Sequence, residues 1–201
     1  MLDCAKLAHE RGLRNVYHSN GFIRPEPLRE LCKYLDAANI DLKGFTEEYY
    51  EDMSDASLAP VLRSLKILSD EGVHLEVTTL LIPGRNDDPE TLTAMCRWIK
   101  ENLGPDVPLH FSRFNPMYRL RNLPPTPLRT LQRAHQIARD AGVHYVYIGN
   151  VPMNPANHTY CHKCGKRVIK RLGFLVRENR LLDGRCPDCG AKIDGVWFTG
   201  D

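Results

Sequence analysis

Seven cysteines lie in this 201-residue chain, and four of them form two CxxCG knuckles, Cys161-His-Lys-Cys164-Gly and Cys186-Pro-Asp-Cys189-Gly. Two residues between thiolates let both sulfurs turn onto one ion. The glycines that follow, Gly165 and Gly190, permit a turn tight enough to bring backbone amides toward the sulfurs. Between the knuckles, RVIKRLGFLVRENRLLDGR has the strand-and-turn character of a zinc ribbon. The quartet is expected to hold one structural zinc, with iron in a rubredoxin-like site as the competing metal. All four ligand positions are sulfur, so no open coordination position is left for catalysis. A segment this short buries too little apolar area to fold alone, and metal binding worth an apparent ~10–16 kcal/mol would supply its folding energy. The other cysteines, Cys4, Cys32 and Cys96, are isolated on helical patterns and read as small core or surface fillers.

A second candidate for chemistry is the run Asn39-Ile40-Asp41-Leu42-Lys43. In a strand, Ile40 and Leu42 point to one face and Asn39, Asp41 and Lys43 to the other. If helices cover the apolar face, the polar trio lies on the inner one, where charge is costly unless paired or used. A solvated edge strand would show the same alternation. The segment His18-Ser19-Asn20-Gly21 favours a site, because it puts further polar side chains and a flexible glycine at the end of another strand, where α/β sites assemble.

The elements that position these residues alternate along the chain. Helical periodicity appears near 2–11, 26–35, 58–71, 89–102 and 127–141, the fourth opening with Asp88 and Pro89 in N-cap and N1 style. Strand-like runs lie at 15–20, 39–43, 75–82, 109–114 and 145–150. This is the sequence form of a parallel α/β sheet or barrel. A weak repeat, ERGLRNVY, DEGVHLEV and DAGVHYVY, sets Gly12, Gly72 and Gly142 at helix C′ positions. Five strands are too few to close an eight-stranded barrel, so either the sheet is open or an N-terminal piece is missing. After Asn150 a Pro/Asn-rich connector intervenes, which divides the chain into an α/β part at 1–150, a linker at 151–158 and the ribbon at 159–201.

Composition narrows the partners. Lys and Arg number 27 against 25 Asp and Glu, a formal charge of +2, and no like-charge run marks a nucleic-acid arm. Nine basic against five acidic residues in 160–201, offset by four metal-bound thiolates, leave too modest a charge for an RNA clamp. No apolar stretch approaches the roughly 18 residues of a membrane span, and MLDCAKLAHERG is an amphipathic charged helix pattern rather than a signal peptide. A cytoplasmic protein is expected.

Taken in order, NVYHSNGF, NIDLKGF, LEVTTLLIPGRND, LHFSRFNP, YVYIGNVP and the CxxC pair resemble the radical S-adenosylmethionine (SAM) enzymes related to pyruvate formate-lyase activating enzymes. Within these, the order of segments and the C-terminal CxxC pair are most similar to the radical SAM proteins of the AmmeMemoRadiSam system, over nearly the whole chain. The resemblance implies a partial (β/α) barrel lacking its first βα units. It also implies a [4Fe–4S] cluster, with S-adenosylmethionine bound across the strand ends and cleaved reductively to a 5′-deoxyadenosyl radical. Carried over by position, Ser19 and Asn20 match the strand end beside the cofactor. Lys43 matches the partner of the cofactor carboxylate, and Asp41 the group that fixes that lysine or a bound cation. A cation in a water-poor barrel gains Coulomb energy against a carboxylate that water would otherwise screen.

The departures from the family pattern carry their own expectations. The CxxxCxxC loop that binds the cluster is absent, as is the strand that follows it, so the start is expected to be that of a truncated chain or a misplaced initiation codon, inactive alone. Thr78 stands where activating enzymes have an arginine, Asn115 stands where a histidine is familiar, and PGRND at 83–87 reads as a turn into the next helix. The competing function is a non-catalytic adaptor that uses the α/β piece and the ribbon to bind a partner. An unrelated barrel hydrolase or lyase is weaker, since the strands carry no compact metal-ligand set and no nucleophile elbow. The other AmmeMemoRadiSam components are expected as associates, and the substrate, protein or small molecule, is not legible.

Overall fold

The computed structural model describes residues 1–173 and 175–197. Of the segment read as a ribbon at 159–201, residues 174 and 198–201 therefore lie outside the described residues.

The first part is built from α1 (Leu2–Glu10), β1 (Val16–Ser19), α2 (Pro25–Cys32), β2 (Ala37–Asp41), α3 (Glu47–Ser54), α4 (Leu58–Asp70), β3 (His74–Leu81), α5 (Pro89–Asn102), β4 (Leu109–Arg113), α6 (Leu128–Asp140) and β5 (Val146–Gly149). All neighbouring strands pair in parallel, in the order β1-β2-β3-β4-β5. Among the described residues β1 and β5 do not meet, so the sheet is open. The expected Asp88 cap is present: its carboxylate accepts the Thr91 amide at 2.8 Å, with Pro89 opening α5. The repeated glycines end α1, α4 and α6 with φ of +70°, +75° and +94°. At each end the residue after the glycine bonds back across the last turn, as Val73 N–H does to Leu68 O at 3.1 Å, which satisfies an orphan carbonyl.

The sheet has two unlike faces because its strands alternate in polarity. One face carries Ile40, Leu42, Val77, Phe111 and Ile148, all buried, against Leu28 of α2, Val61 and Leu65 of α4, Met95 and Ile99 of α5 and Leu131 of α6. Burial of these side chains supplies most of the driving force, about 1.5–3 kcal/mol for each large one. The other face carries Asn39 and Asp41 of β2, Glu76 and Thr78 of β3, His110 of β4 and Tyr147 of β5. Register places Asn39 beside Glu76 and joins Asp41, Thr78, His110 and Tyr147 in one row.

Helix α3 is not evident from apolar periodicity. It is acidic, and only Tyr49 and Tyr50 of its side chains are buried. Its start was nevertheless encoded: the Thr46 hydroxyl accepts the Tyr49 amide at 3.1 Å, and Glu47 and Glu48 occupy the first turn. Gly44 precedes it because any Cβ there would lie 2.3 Å from the Tyr49 ring.

A short turn of helix at Pro155–Asn157 leads into β6 (Thr159–Tyr160), β7 (Arg167–Leu172) and β8 (Leu175–Asn179), an antiparallel sheet of order β6-β7-β8. Asn157 donates from Nδ2 to the carbonyl of Ile148 on the outermost strand β5 at 2.5 Å. A second hydrophobic cluster joins Val168, Ile169, Cys161, Cys186 and Ile193 to Tyr145, with Tyr147 packed beside it. The small sheet therefore covers the start of β5 on the polar side. Thr159 shares a hydrogen bond with the Tyr147 hydroxyl at 2.9 Å, and the Arg171 guanidinium lies 5.7 Å from the Tyr147 ring centre. No described helix is long and apolar enough to cross a membrane.

Candidate functional site

The C-terminal ends of β1 and β2 bring together the residues that the alternation of NIDLK singled out. Lys43 Nζ donates to Asp41 Oδ2 at 3.0 Å, and the His18 ring lies 3.8 Å from Asp41 Oδ1. Asp41 is half-buried and Lys43 somewhat more open, so the pair sits at a rim that solvent reaches. Lys43 and Asn20 line one cleft of about 160 Å³ with Phe22, Tyr50 and Val61. Asn20 also accepts the Phe22 amide through Oδ1 at 3.0 Å, which shapes the turn. Ser19 lies on the strand face opposite His18, and its hydroxyl accepts the Gly21 amide at 3.2 Å. Gly21 has φ of +71°, and a Cβ there would meet Ile40 at 2.8 Å, so the bend after β1 requires glycine.

Lys43 lies beyond the last paired residue of β2, so its backbone is held by other means. Thr79 donates from Oγ1 to Leu42 O at 2.8 Å, and the Lys43 amide donates to the Tyr50 hydroxyl at 3.2 Å. Buried Asn86 donates from Nδ2 to Lys43 O at 2.7 Å and to Leu80 O at 2.9 Å, while its Oδ1 accepts the Ile82 amide at 2.7 Å. Burial pushes the Tyr50 phenol up to about 12, so it is neutral at physiological pH and can accept that amide while donating its own proton. Tyr50 and Asn86 were missed as site residues because neither is next to Lys43 in sequence. The Asn in PGRND, which looks like an ordinary turn, ties that turn to the lysine.

On the same sheet face, Glu76 accepts from His110 Nε2 at 2.8 Å and lies 3.6 Å from His74 Nε2. His110 stacks on Tyr147 with ring centres 5.0 Å apart. Thr78, expected only as the absence of an arginine, donates to Asn39 Oδ1 at 2.9 Å. Burial alone would raise the Glu76 carboxyl, but the two imidazoles outweigh it and hold it far below the usual carboxylate range. The Glu76 carboxylate in turn raises His74 above its ordinary 6.5. The signs then give a window. Glu76, depressed when folded, stabilises above its unfolded value of about 4.5, and that contribution is lost as pH falls through the folded value. His74, raised when folded, stabilises below 6.5 and loses its contribution as pH rises through the folded value. Urea midpoints should therefore decline as pH rises above about 6.5, and Glu76→Gln should remove that decline. An unchanged slope in Glu76→Gln would exclude the network as its source.

The four knuckle cysteines converge. One sulfur of each lies within 4.8 Å of the others, with Cys161 to Cys189 at 3.6 Å and Cys164 to Cys186 at 3.7 Å. Sulfurs placed ~2.3 Å from a tetrahedral ion would be separated by about 3.8 Å, which the two shortest sulfur pairs closely match, so the quartet suits a tetrahedral metal. The two knuckles repeat one backbone pattern: Gly165 N–H to Cys161 O and Gly190 N–H to Cys186 O, both 2.9 Å, with both glycines at φ of +72°. Burial opposes ionisation of Cys186, yet the amides of Asp188 and Cys189 and the neighbouring thiols bring it down to about 7. Cys189 is pushed up to about 12 although the Ala191 amide favours its thiolate, because burial and the three facing sulfurs prevail. Four sulfurs this close ionise together only around a cation.

The remaining cysteines do not assemble. Cys4 is exposed on α1, while Cys32 on α2 and Cys96 on α5 are buried, and burial pushes the Cys96 thiol up to about 12. Among the described residues, none of these belongs to a ligand group of three or more.

Against this geometry, the description "Radical SAM superfamily" matches residues 1–96. An uncharacterized protein of Methanocaldococcus jannaschii is 42% identical over 198 residues, covering 98% of this chain and 59% of that protein. The isethionate sulfite-lyase activating enzyme of Desulfovibrio desulfuricans is 30% identical over 95 residues, 46% of this chain and 30% of that enzyme. A domain of a pyruvate-formate lyase-activating enzyme from Bacteroides vulgatus shares the fold with a TM-score of 0.64 at 17% identity, over 74% of this chain and 89% of that one. The match to the radical SAM superfamily thus lies within the α/β part, and that part shares the fold of the activating-enzyme domain. The chain spans 59% of the length of its archaeal relative.

Proposed function

We propose that the rim formed by Asn20, Asp41 and Lys43 is the carboxylate-binding side of an S-adenosylmethionine site in a radical SAM enzyme. The observation that carries this reading is the Lys43–Asp41 pair at 3.0 Å, set at the C-terminal end of a parallel strand with Lys43 lining a cleft. Held by Lys43, Asp41 and Asn20, S-adenosylmethionine would supply radical chemistry for hydrogen-atom abstraction when cleaved reductively at a [4Fe–4S] cluster. Lys43 offers the ammonium for the methionyl carboxylate, and Asp41 keeps that ammonium aimed along the rim. Asn20 presents an amide to the same cleft, and Ser19 shapes the turn that carries it. Tyr50, Thr79 and Asn86 hold the Lys43 backbone so that the ammonium does not wander.

The cysteine quartet is proposed to hold one structural zinc, so that residues 159–201 form a zinc ribbon joined to the 1–150 α/β part by the 151–158 connector. Association with the other AmmeMemoRadiSam components, and a protein or small-molecule substrate, belong to the same reading.

Lys43→Met keeps the side-chain length and removes the charge. Equilibrium binding of S-adenosylmethionine should weaken by about 1.5–3 kcal/mol, roughly ten- to a hundredfold, with the melting temperature held. Asp41→Asn should act in the same direction, and the double variant should lose less than the sum because the two side chains work as one unit. Unchanged affinity in Lys43→Met would remove the rim from the cofactor site.

A further inference from the structure

Outside the rim and the quartet, one other set of ligand-type side chains converges among the described residues. Asp106, in the turn before β4, His144, just ahead of β5, and His162, inside the first knuckle, each place one donor atom within 4.8 Å of the other two. His144 Nδ1 lies 2.8 Å from Asp106 Oδ1. The His144 and His162 rings stack with centres 4.6 Å apart and planes 11° from parallel. His162 Nδ1 shares a hydrogen bond of 3.0 Å with the Tyr145 hydroxyl, so that ring is oriented from behind by a protein group. Outer-shell contacts of this kind orient imidazoles that bind metals.

The spacing also suits an ion. Nitrogen and oxygen ligands ~2.0–2.1 Å from a tetrahedral centre are about 3.3 Å apart. Asp106 and His144 place their donors 2.8 Å apart and the third donor lies within 4.8 Å of both, so small side-chain rotations reach that value. The Asp106 and His144 side chains are 48% and 33% exposed, which leaves them free to adjust. His144 and His162 also line a cavity of about 620 Å³ between α6, β5 and the small sheet. An ion held by three protein ligands at such a wall keeps a coordination position that opens on the cavity, unlike the all-sulfur quartet.

We propose that Asp106, His144 and His162 form a second metal site that takes a borderline divalent transition ion such as zinc, cobalt or nickel. The donor set is two imidazoles and a carboxylate, which excludes a thiophilic monovalent ion and is too nitrogen-rich for calcium or magnesium. The ion takes the place of the proton shared by Asp106 and His144, and His162 closes the set from the ribbon side. The site thereby links the two parts of the chain, since Asp106 and His144 belong to the α/β part and His162 to the knuckle.

Cobalt(II) titration of the metal-free chain tests this separately from the zinc proposal. The first equivalent should bring thiolate-to-cobalt charge-transfer absorption from the quartet. A second equivalent should follow without further charge transfer, for a total of about two ions per chain by equilibrium dialysis. His144→Ala and Asp106→Asn, neither of them a knuckle residue, should weaken the second equivalent at least about tenfold and leave the first unchanged. The retained charge-transfer band shows that the ribbon of each variant is intact. Binding that stops at one thiolate-bound ion, or a second equivalent that persists in both variants, overturns the proposal. Absence of the charge-transfer band would instead refute the zinc reading of the quartet.

Discussion

Cys161→Ser should release the zinc held by the cysteine quartet and open the small sheet to solvent. Structural zinc contributes an apparent ~10–16 kcal/mol to domains of this kind, more than the few apolar side chains around Val168 and Ile169 can replace. Cys161 is itself buried in that cluster, so the substitution also places a hydroxyl where a sulfur packed. Hydrogen exchange should show the amides of β7 unprotected in the variant and those of β2 to β4 still protected. The loss should reach the start of β5 as well, because Tyr145 belongs to the same cluster as the cysteines. Full protection of β7 in metal-free Cys161→Ser would show that the sheet holds without the ion.

Asn86→Ala should be the most damaging single change in the α/β part that leaves its apolar core alone. It removes three hydrogen bonds from a buried amide and leaves the Ile82 amide and the Leu80 and Lys43 carbonyls without their partner. A buried group left unpaired costs about 1–3 kcal/mol, and partial solvation of the vacated space brings the total to about 3–5 kcal/mol. Chemical denaturation measures that loss. S-adenosylmethionine binding should fall with it even under conditions where the variant is folded, since the backbone of Lys43 is freed. Asn86→Asp keeps the acceptor for Ile82 but sets a carboxylate against two carbonyls, so it should not rescue. A loss below about 1 kcal/mol would mean that the loop re-forms these bonds without Asn86.

Much of the fold was legible because its strands and helices carry different hydrophobic periods. The helices near 58–71 and 89–102 and the five strands lie within a few residues of their expected positions, and Gly72 and Asp88 mark ends that side-chain chemistry dictates. Helix α3 escaped because the burial that holds it rests on two tyrosines rather than on an apolar stripe. The rim divides in the same way. Asp41 and Lys43 were visible through alternation within a single strand, a property of neighbouring residues. Asn86 acts on a backbone carbonyl 43 residues away, and Glu76 acquires its partners only once register sets β3 beside β4. Such roles depend on pairings between distant segments, which no local pattern contains. The Ser19 hydroxyl also takes part in the bend that follows β1, a contact set by the turn rather than by strand alternation.

The contact between Asn157 and the outermost strand has a consequence for self-association. An unpaired strand edge offers its amides and carbonyls to any extended chain that approaches, the first step toward domain swapping and fibril formation. By occupying the carbonyl of Ile148, the connector guards the β5 edge with a side chain that cannot propagate a ladder. The segment that joins the two parts of the molecule thus also acts as a stopper against intermolecular sheet growth at that position.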